Sequence, residues 1–278
     1  MPLILKALDA HHDVVGVQIE GLGALWNLSI DSAYQLQLGQ QRGIRKAFGG
    51  MKRHATEASV QEQACGMLSN LALSQTNHSE IMASIAHIVA VMERYIVKMG
   101  VQTQCCAIMR NLSGARSNQD VIISSGGATA LLNAMSTHYR SAGVQEYGSG
   151  CLMNLAAMPE SRVAIMFVFN SSDLIGRQNG CEILLKCLNA ARLNAELPKV
   201  LERGFGAIRN LAQNKDMQMR LGLSAIVLII ECLQDSTNQA LADVCVEGIS
   251  ALRSLGVSND GNKEAMYRAG AIELRRKD

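Results

Sequence analysis

Five asparagines, each followed by a leucine, recur along the chain and carry its most regularly spaced hydrogen-bonding side chains. They are Asn27, Asn70, Asn111, Asn154 and Asn210, and Ser254 takes the same place in a sixth copy. An asparagine carboxamide offers one acceptor oxygen and two N–H donors, so it can pair with both the C=O and the N–H of an extended peptide. It can equally hydrogen-bond to the backbone of a neighbouring repeat and stabilise the protein itself. The sequence leaves both roles open.

Each of these residues stands near the end of a longer phrase that the chain repeats six times. The copies are VQIEGLGALWNL, VQEQACGMLSNL, VQTQCCAIMRNL, VQEYGSGCLMNL, VLERGFGAIRNL and VCVEGISALRSL. The successive steps between the asparagine or serine positions are 43, 41, 43, 56 and 44 residues. A period of about 40–47 residues is typical of stacked helical repeats, in which each unit contacts only its neighbours. We therefore predict one solenoid domain across residues 1–278.

The apolar residues of the phrase predict a helix with one buried stripe. Relative to the asparagine, a valine stands ten residues earlier, a small residue six earlier, a large aliphatic residue two earlier and a leucine one later. These offsets fall on one face of an α-helix. The small residues, which would let a neighbouring helix approach closely, are Gly21, Ala64, Cys105, Gly148, Gly204 and Gly248.

Two further helices are predicted between successive phrases. Residues 118–124 suit a short helix, Gly126 and Gly127 interrupt it, and residues 128–138 have the apolar periodicity of a second helix. The same junction recurs around Gly270, and residues 2–10 suit another second helix. Glycine can end one helix in a left-handed conformation before the next begins. A repeat therefore has about three helices, of which the phrase forms the third.

The short helix, the glycine junction, the GAT or GAI start of the second helix and the ALxNLS-like third helix resemble the armadillo repeat family. The resemblance covers nearly the whole chain, whereas HEAT repeats usually have two helices and lack the recurring asparagine. It implies an all-α, right-handed superhelix of armadillo repeats. The approximate units are 1–30 (partial), 31–73, 74–114, 115–157, 158–213 with an insertion, 214–256 and 257–278 (partial).

The longest step and the two termini depart from the regular pattern. The step of 56 residues is 13 longer than the usual 43, and the additional residues fall near 167–176. Such an insertion would protrude at a repeat edge, either as a binding loop or as a neutral extension. Solenoids normally end in polar capping units, and neither terminus shows one. We therefore expect additional repeats beyond both termini, or end-to-end contacts with another subunit.

In the armadillo family the third helices line a concave face, and the recurring asparagine forms a row along it. The resemblance therefore implies that a protein or peptide segment, extended or helical, binds along this row. Nuclear import adaptors of the family also place a tryptophan one helical turn before the asparagine to hold lysine side chains. A nuclear transport receptor is the less favoured function, because those places here hold Gly23, Gly66, Ala107, Gly150, Gly206 and Ser250.

Four residues beside the row are further candidate contacts for a partner. Trp26 precedes Asn27 and would either anchor a partner or cover a repeat edge. Arg110, Arg209 and Arg253 directly precede positions of the row. One hypothesis is that the C-terminal half of the surface prefers an acidic segment, held by Arg209 and Arg253. The alternative is that these arginines are solvated charges on a helix face.

The composition argues against several other functions. A net charge of +2 is unlike that of nucleic-acid-binding proteins, and no apolar stretch has the length of a membrane span. The eight cysteines form no CxxC pair and no finger-like cluster, so we expect reduced thiols in the core and neither a metal site nor a cofactor. Because the N-terminus does not suit a signal peptide either, we predict a cytoplasmic or nuclear protein.

No catalytic residue is predicted. The segments GSG at 148–150 and GFG at 204–206 lie inside third helices with no preceding strand, so they are not phosphate-binding loops. No serine or cysteine has a base at a suitable spacing. We therefore expect a non-catalytic scaffold or adaptor that binds a partner protein. The alternative is a regulatory or targeting segment of a larger enzyme, such as a kinase or a ubiquitin ligase.

Overall fold

The structure of the protein, a computed structural model, describes residues 1–159, 162, 165, 180–192, 197–235, 238 and 241–271. Across this part of the chain the structure is helical and contains no β-strand, as the sequence predicts. The chain forms two compact units, Met1–Ala130 and Leu131–Asp278. None of the described helices is both long enough and apolar enough to cross a lipid bilayer.

The first unit is built from repeats of a short helix, a second helix and a long third helix. Its helices are α1 (Pro2–Ala10), α2 (Val15–Leu28), α3 (Ser32–Gln40), α4 (Gly43–Arg53), α5 (Ala58–Leu71), α6 (His78–Met82), α7 (Ile85–Arg94), α8 (Met99–Ser113), α9 (Arg116–Ser124) and the start of α10 (Gly127–Thr137). A short 3-10 helix, Gln75–Asn77, precedes α6. The helices α3, α4 and α5 form one three-helix repeat, and α6, α7 and α8 form the next, as predicted.

The second unit contains helices of the same kinds. They are α11 (Ala142–Ala156), α12 (Gly180–Arg192), α13 (Pro198–Leu211), α14 (Lys215–Gln234), α15 (Ala242–Gly256) and α16 (Asp260–Arg268). The phrase lies on α11, α13 and α15, which are therefore the third helices of this unit. The insertion predicted near 167–176 lies outside the described residues.

Residues in the left-handed conformation separate the first helix from the second in several repeats, although Ser84, between α6 and α7, has a φ of −120°. Gly126 has a φ of +82° and Gly270 a φ of +86°, so the glycine junctions predicted from the sequence are confirmed. Gly222, with a φ of +29°, divides α14 into two helical segments. Glycine adopts such angles easily because it has no Cβ. Arg42 stands at the same junction before α4 with a φ of +65°, although it carries a long side chain.

The third helices pack side by side within each unit. In the first unit α2 contacts α5 and α5 contacts α8, and in the second unit α11 contacts α13 and α13 contacts α15. The predicted stripe lies in these contacts, since Leu68, Met109 and Ile208 are completely buried. Val17 and Leu28 of the first copy are only half-buried, so the stripe is incomplete there.

The small residue of the phrase marks the place where the second helix packs on the third. A Cβ added to Gly21 would lie 2.6 Å from Leu8 Cδ2, and a Cβ added to Gly148 would lie 2.6 Å from Met135 Cγ. Carbon atoms in normal contact are about 3.5–4.0 Å apart, so a larger residue would separate the two helices. The close approach predicted from the sequence is therefore confirmed at these positions.

A buried glutamine fixes the start of four third helices. The glutamines are Gln18, Gln61, Gln102 and Gln145, each directly after the valine of the phrase. Each Nε2 donates to two backbone carbonyls near the end of the preceding second helix, ten and seven residues earlier in the chain. For Gln102 the acceptors are Met92 O at 2.8 Å and Tyr95 O at 2.9 Å. These bonds satisfy carbonyls that have no partner within their own helix.

Candidate functional site

The predicted row lies near the C-terminal ends of the third helices. The first unit carries three of its positions, on α2, α5 and α8, and the second unit carries three, on α11, α13 and α15. Asn27 is exposed and Asn210 is buried, whereas the other four positions are half-buried. The row is therefore partly accessible in both units, but unequally from one repeat to the next.

Three asparagines of the row donate hydrogen bonds to the third helix that precedes them. Asn111 Nδ2 donates to Ser69 O at 2.8 Å, and Asn210 Nδ2 donates to Met153 O at 2.9 Å. Asn70 Nδ2 donates to Ser29 Oγ at 3.0 Å, with Trp26 O at 3.4 Å. The stabilising role that the sequence left open is confirmed for these three side chains.

The acceptor oxygens of the same side chains are used differently. Asn111 Oδ1 accepts a hydrogen bond from Arg110 Nη1 at 3.0 Å. Within the described residues, no donor contacts Oδ1 of Asn70 or Asn210. Because the N–H of each amide is already held by the preceding helix, the orientation of the carboxamide is fixed. Asn70 and Asn210 therefore keep an oriented acceptor that is not used inside the chain.

Trp26 lies half-buried against the next third helix. A Cβ added to Gly66 on α5 would overlap Cδ2 and Cε2 of the indole ring. The glycine at this place, which in import adaptors is a tryptophan, thus makes room for an aromatic ring from the neighbouring repeat. This packing supports the second of the two roles considered for Trp26, that of covering a repeat edge.

The arginines beside the row differ in their ionic partners. Arg209 Nη1 lies 2.9 Å from a carboxylate oxygen of Glu247, and both side chains are at most about one-third exposed. Arg203, six residues earlier on the same helix, forms a similar pair with Glu146 at 2.8 Å. Arg253 is exposed and forms no ion pair within the described part of the chain. The hypothesis of an acid-binding surface in the second unit therefore depends mainly on Arg253.

A cavity of about 290 Å³ opens beside Ser254 in the second unit. Its lining includes Lys215 and Gln218 of α14 and the exposed Val257 after α15. Gln218 Nε2 donates to Ser254 O at 3.0 Å and to Val257 O at 2.9 Å, which closes one side of the cavity. The sequence did not point to Lys215, Gln218 or Val257, because they lie outside the repeated phrase and reach Ser254 only through helix packing.

Three buried cysteines of the second unit are poorly suited to covalent or metal chemistry. Burial raises the pKa of Cys181 to about 11 and the pKa of Cys187 and Cys232 to about 12. These thiols are therefore protonated at neutral pH, whereas nucleophiles and metal ligands are thiolates. In the described ranges no three His, Cys, Asp or Glu side chains gather where they could hold a metal ion.

Comparison with known proteins supports the fold alone. No protein-family model matches the chain, and no curated protein matches it by sequence. The crystal structure of an engineered protein from the Northeast Structural Genomics Consortium is similar, with a TM-score of 0.71 and 19% identity over 91% of this chain and 94% of that one.

A second similar structure comes from work on a phosphorylation switch that controls the interaction between cadherin and beta-catenin. The TM-score is 0.71 and the identity 18%, over 91% of this chain. The match spans about half of that protein, 52% of its length. The similarity fits an armadillo-like helical solenoid.

Proposed function

We propose that the chain is a non-catalytic scaffold or adaptor that binds a segment of a partner protein on its third helices. One observation carries the proposal. In Asn70 and Asn210 the side-chain Nδ2 donates a hydrogen bond to the preceding repeat, while Oδ1 accepts none within the described residues. Fixed acceptors of this kind suit the backbone N–H groups of an extended segment. The similar solved structure from work on the interaction between cadherin and beta-catenin supports a protein-binding role.

Charge suggests the kind of segment that the second unit would take. Arg253 and Lys215 are both exposed near Ser254, and neither forms an ion pair within the described residues. An acidic side chain next to the bound backbone would pair with them, and Arg253 would do so in a bidentate manner. The armadillo family, the right-handed superhelix, the single domain and the cytoplasmic or nuclear location stay predictions from the sequence.

A regulatory or targeting segment of a larger enzyme is the second candidate. Val246 and Ile249 on α15 are 59% and 50% exposed, whereas Phe205, which takes the place of Ile249 in the preceding copy, is fully buried. Exposed apolar residues of this kind suit contact with a further helix. Sequencing the full-length transcript would separate the two candidates, because the second requires a kinase or ligase domain in the same chain.

The proposal is tested by selecting binders from a random peptide library displayed on phage and measuring their affinity for the intact chain by fluorescence anisotropy. Asn70→Ala and Asn210→Ala are each expected to weaken the enriched peptides about fivefold, the value of a typical hydrogen bond. Asn27→Ala gives an independent test, because no side-chain hydrogen bond to the described chain is lost with it. Asn189→Ala, an exposed change on α12, is the matched control. Affinities that do not differ among these variants would refute the proposal.

A further inference from the structure

A second cavity, of about 360 Å³, lies in the first unit between α1, α2 and α4, away from the predicted row. Four basic side chains line it: Arg42, Arg45, Lys46 and Arg53. Asp9 is the single carboxylate among the lining residues. The volume falls within the range of small-molecule sites, about 300–1,000 Å³.

The basic residues share one face of α4 because of their spacing. Arg45 and Lys46 follow Arg42 by three and four residues, and Arg53 follows Arg42 by eleven, close to three helical turns. Gly49 lies between them, and a Cβ added there would meet no atom within 4 Å. The basic side chains therefore surround an unfilled space above Gly49.

Carboxylates neutralise part of this charge. Lys46 contacts Asp9, Arg53 Nη1 lies 2.7 Å from Asp13, and Arg45 Nε lies 3.1 Å from Glu80. Arg42 is exposed and forms no ion pair with any described residue. Counting those three partners, four positive charges face three negative ones, so the cluster keeps an excess of +1, carried by Arg42.

The backbone at Arg42 is a second, independent observation. Its φ of +65° and ψ of +21° lie in the left-handed region, which side chains other than glycine, asparagine and aspartate adopt at a cost. The corresponding junctions hold Gly126 and Gly270. An unfavourable conformation that is kept at a ligand-sized cavity points to a role for the side chain.

We propose that this cavity binds a phosphate monoester, with Arg42 as the principal ligand and Arg45, Lys46 and Arg53 as supporting charges. The planar guanidinium donates two parallel N–H groups that match two phosphate oxygens. The excess of +1 offsets one of the two charges of a phosphate dianion, and the supporting side chains can share their hydrogen bonds between carboxylate and phosphate. The phosphate group can belong to a small metabolite or to a phosphorylated side chain of a partner.

The test is isothermal titration of the intact chain with inorganic phosphate, with O-phosphoserine and with a serine-phosphorylated peptide, at constant ionic strength. Saturable binding with a Kd of about 1 mM or tighter is expected, as two or three charged hydrogen bonds provide. Tighter binding of the phosphopeptide would identify a protein source for the phosphate. Equal or tighter binding of inorganic phosphate would identify a small-molecule source.

Two variants separate phosphate binding from folding. Arg42→Gly removes the guanidinium and installs the residue found at the Gly126 and Gly270 junctions, so phosphate affinity should fall at least about tenfold while the unfolding temperature stays the same or rises. Gly49→Glu places a competing carboxylate in the unfilled space and should abolish binding. Gly16→Glu is its matched control, because Gly16 is also an exposed helical glycine with no atom within 4 Å of an added Cβ.

Three results would overturn the proposal. The first is the absence of saturable phosphate binding, and the second is equal phosphate binding by Arg42→Gly, Gly49→Glu and the unaltered chain. The third is binding to phosphatidylserine vesicles without binding of any soluble phosphate, which would mark the basic face as a membrane contact instead.

Discussion

Two side-chain amides recur along the third helices, a glutamine on four of them and an asparagine on five, and the structure uses them in different ways. The glutamine near the start, as in Gln102, is fully buried and donates to two carbonyls of its own repeat. The asparagine near the end, as in Asn70, is half-buried, donates to the preceding repeat and keeps an unused acceptor. Gln102 Oε1 is also without a hydrogen-bond partner, but it is buried. An unused acceptor therefore marks a position that a partner can use only where the side chain is accessible.

The largest effect is expected at the buried glutamine. Gln102→Ala would remove the side-chain donor to Met92 O and Tyr95 O, of which Tyr95 O keeps the backbone N–H of Lys98, and would create a cavity. The free energy of unfolding should fall by about 2–4 kcal/mol. Urea denaturation measures this change. Gln37→Ala, on the exposed face of α3, is the control and should change stability by less than about 0.5 kcal/mol. If Gln102→Ala were as mild as its control, the distinction between the two amides would be wrong.

The packing of Trp26 on Gly66 is expected to give the next largest effect. Gly66→Ala adds a Cβ where the indole lies, so overpacking should lower the free energy of unfolding by about 1–2 kcal/mol in spite of the better helix propensity of alanine. The same change in a Trp26→Ala background should cost nothing or should stabilise. A double-mutant cycle from denaturation curves measures the coupling, and additive effects would show that Trp26 does not depend on this glycine.

A smaller effect is expected along the asparagine row. Asn111→Ala removes the hydrogen bond to Ser69 O and should lower the free energy of unfolding by about 1 kcal/mol. Asn27→Ala, which removes no such bond, should stay within about 0.5 kcal/mol of the unaltered chain. If the two variants lost equal free energy of unfolding, the hydrogen bond of Asn111 would not distinguish it from the exposed Asn27.

The smallest effect is expected at an exposed ion pair. The hydrogen bond from Arg53 lowers the pKa of the Asp13 carboxyl below 3.8, so this pair stabilises the fold above that pH and loses its effect as the pH falls through the lowered pKa. Asp13→Asn should therefore reduce the unfolding temperature slightly at pH 7 and by less at pH 2. Calorimetry at both pH values checks the sign. A difference that grows in acid would contradict it.

Much of the local structure could be predicted from the sequence, because helix boundaries depend on nearby residues. The predicted helix at residues 2–10 is α1, and the junction at Gly126 has the left-handed conformation expected of glycine. The contacts of the row could not be predicted in this way. Asn210 donates to Met153, 57 residues away, and Arg209 pairs with Glu247, 38 residues away. Such partners depend on the register between packed helices, which no local pattern specifies.

The sequence by itself determined the helical repeat, since a fixed period, a buried stripe and glycine junctions are all properties of neighbouring residues. It also located the row of amides. Only the tertiary structure decided what those amides do, because the preceding helix takes the N–H of Asn70 and leaves its oxygen. It likewise brought Arg42 into a cavity that α1, α2 and α4 form together. The physical reason is that a hydrogen bond or a cavity requires positions in space, and the packing of helices sets those positions.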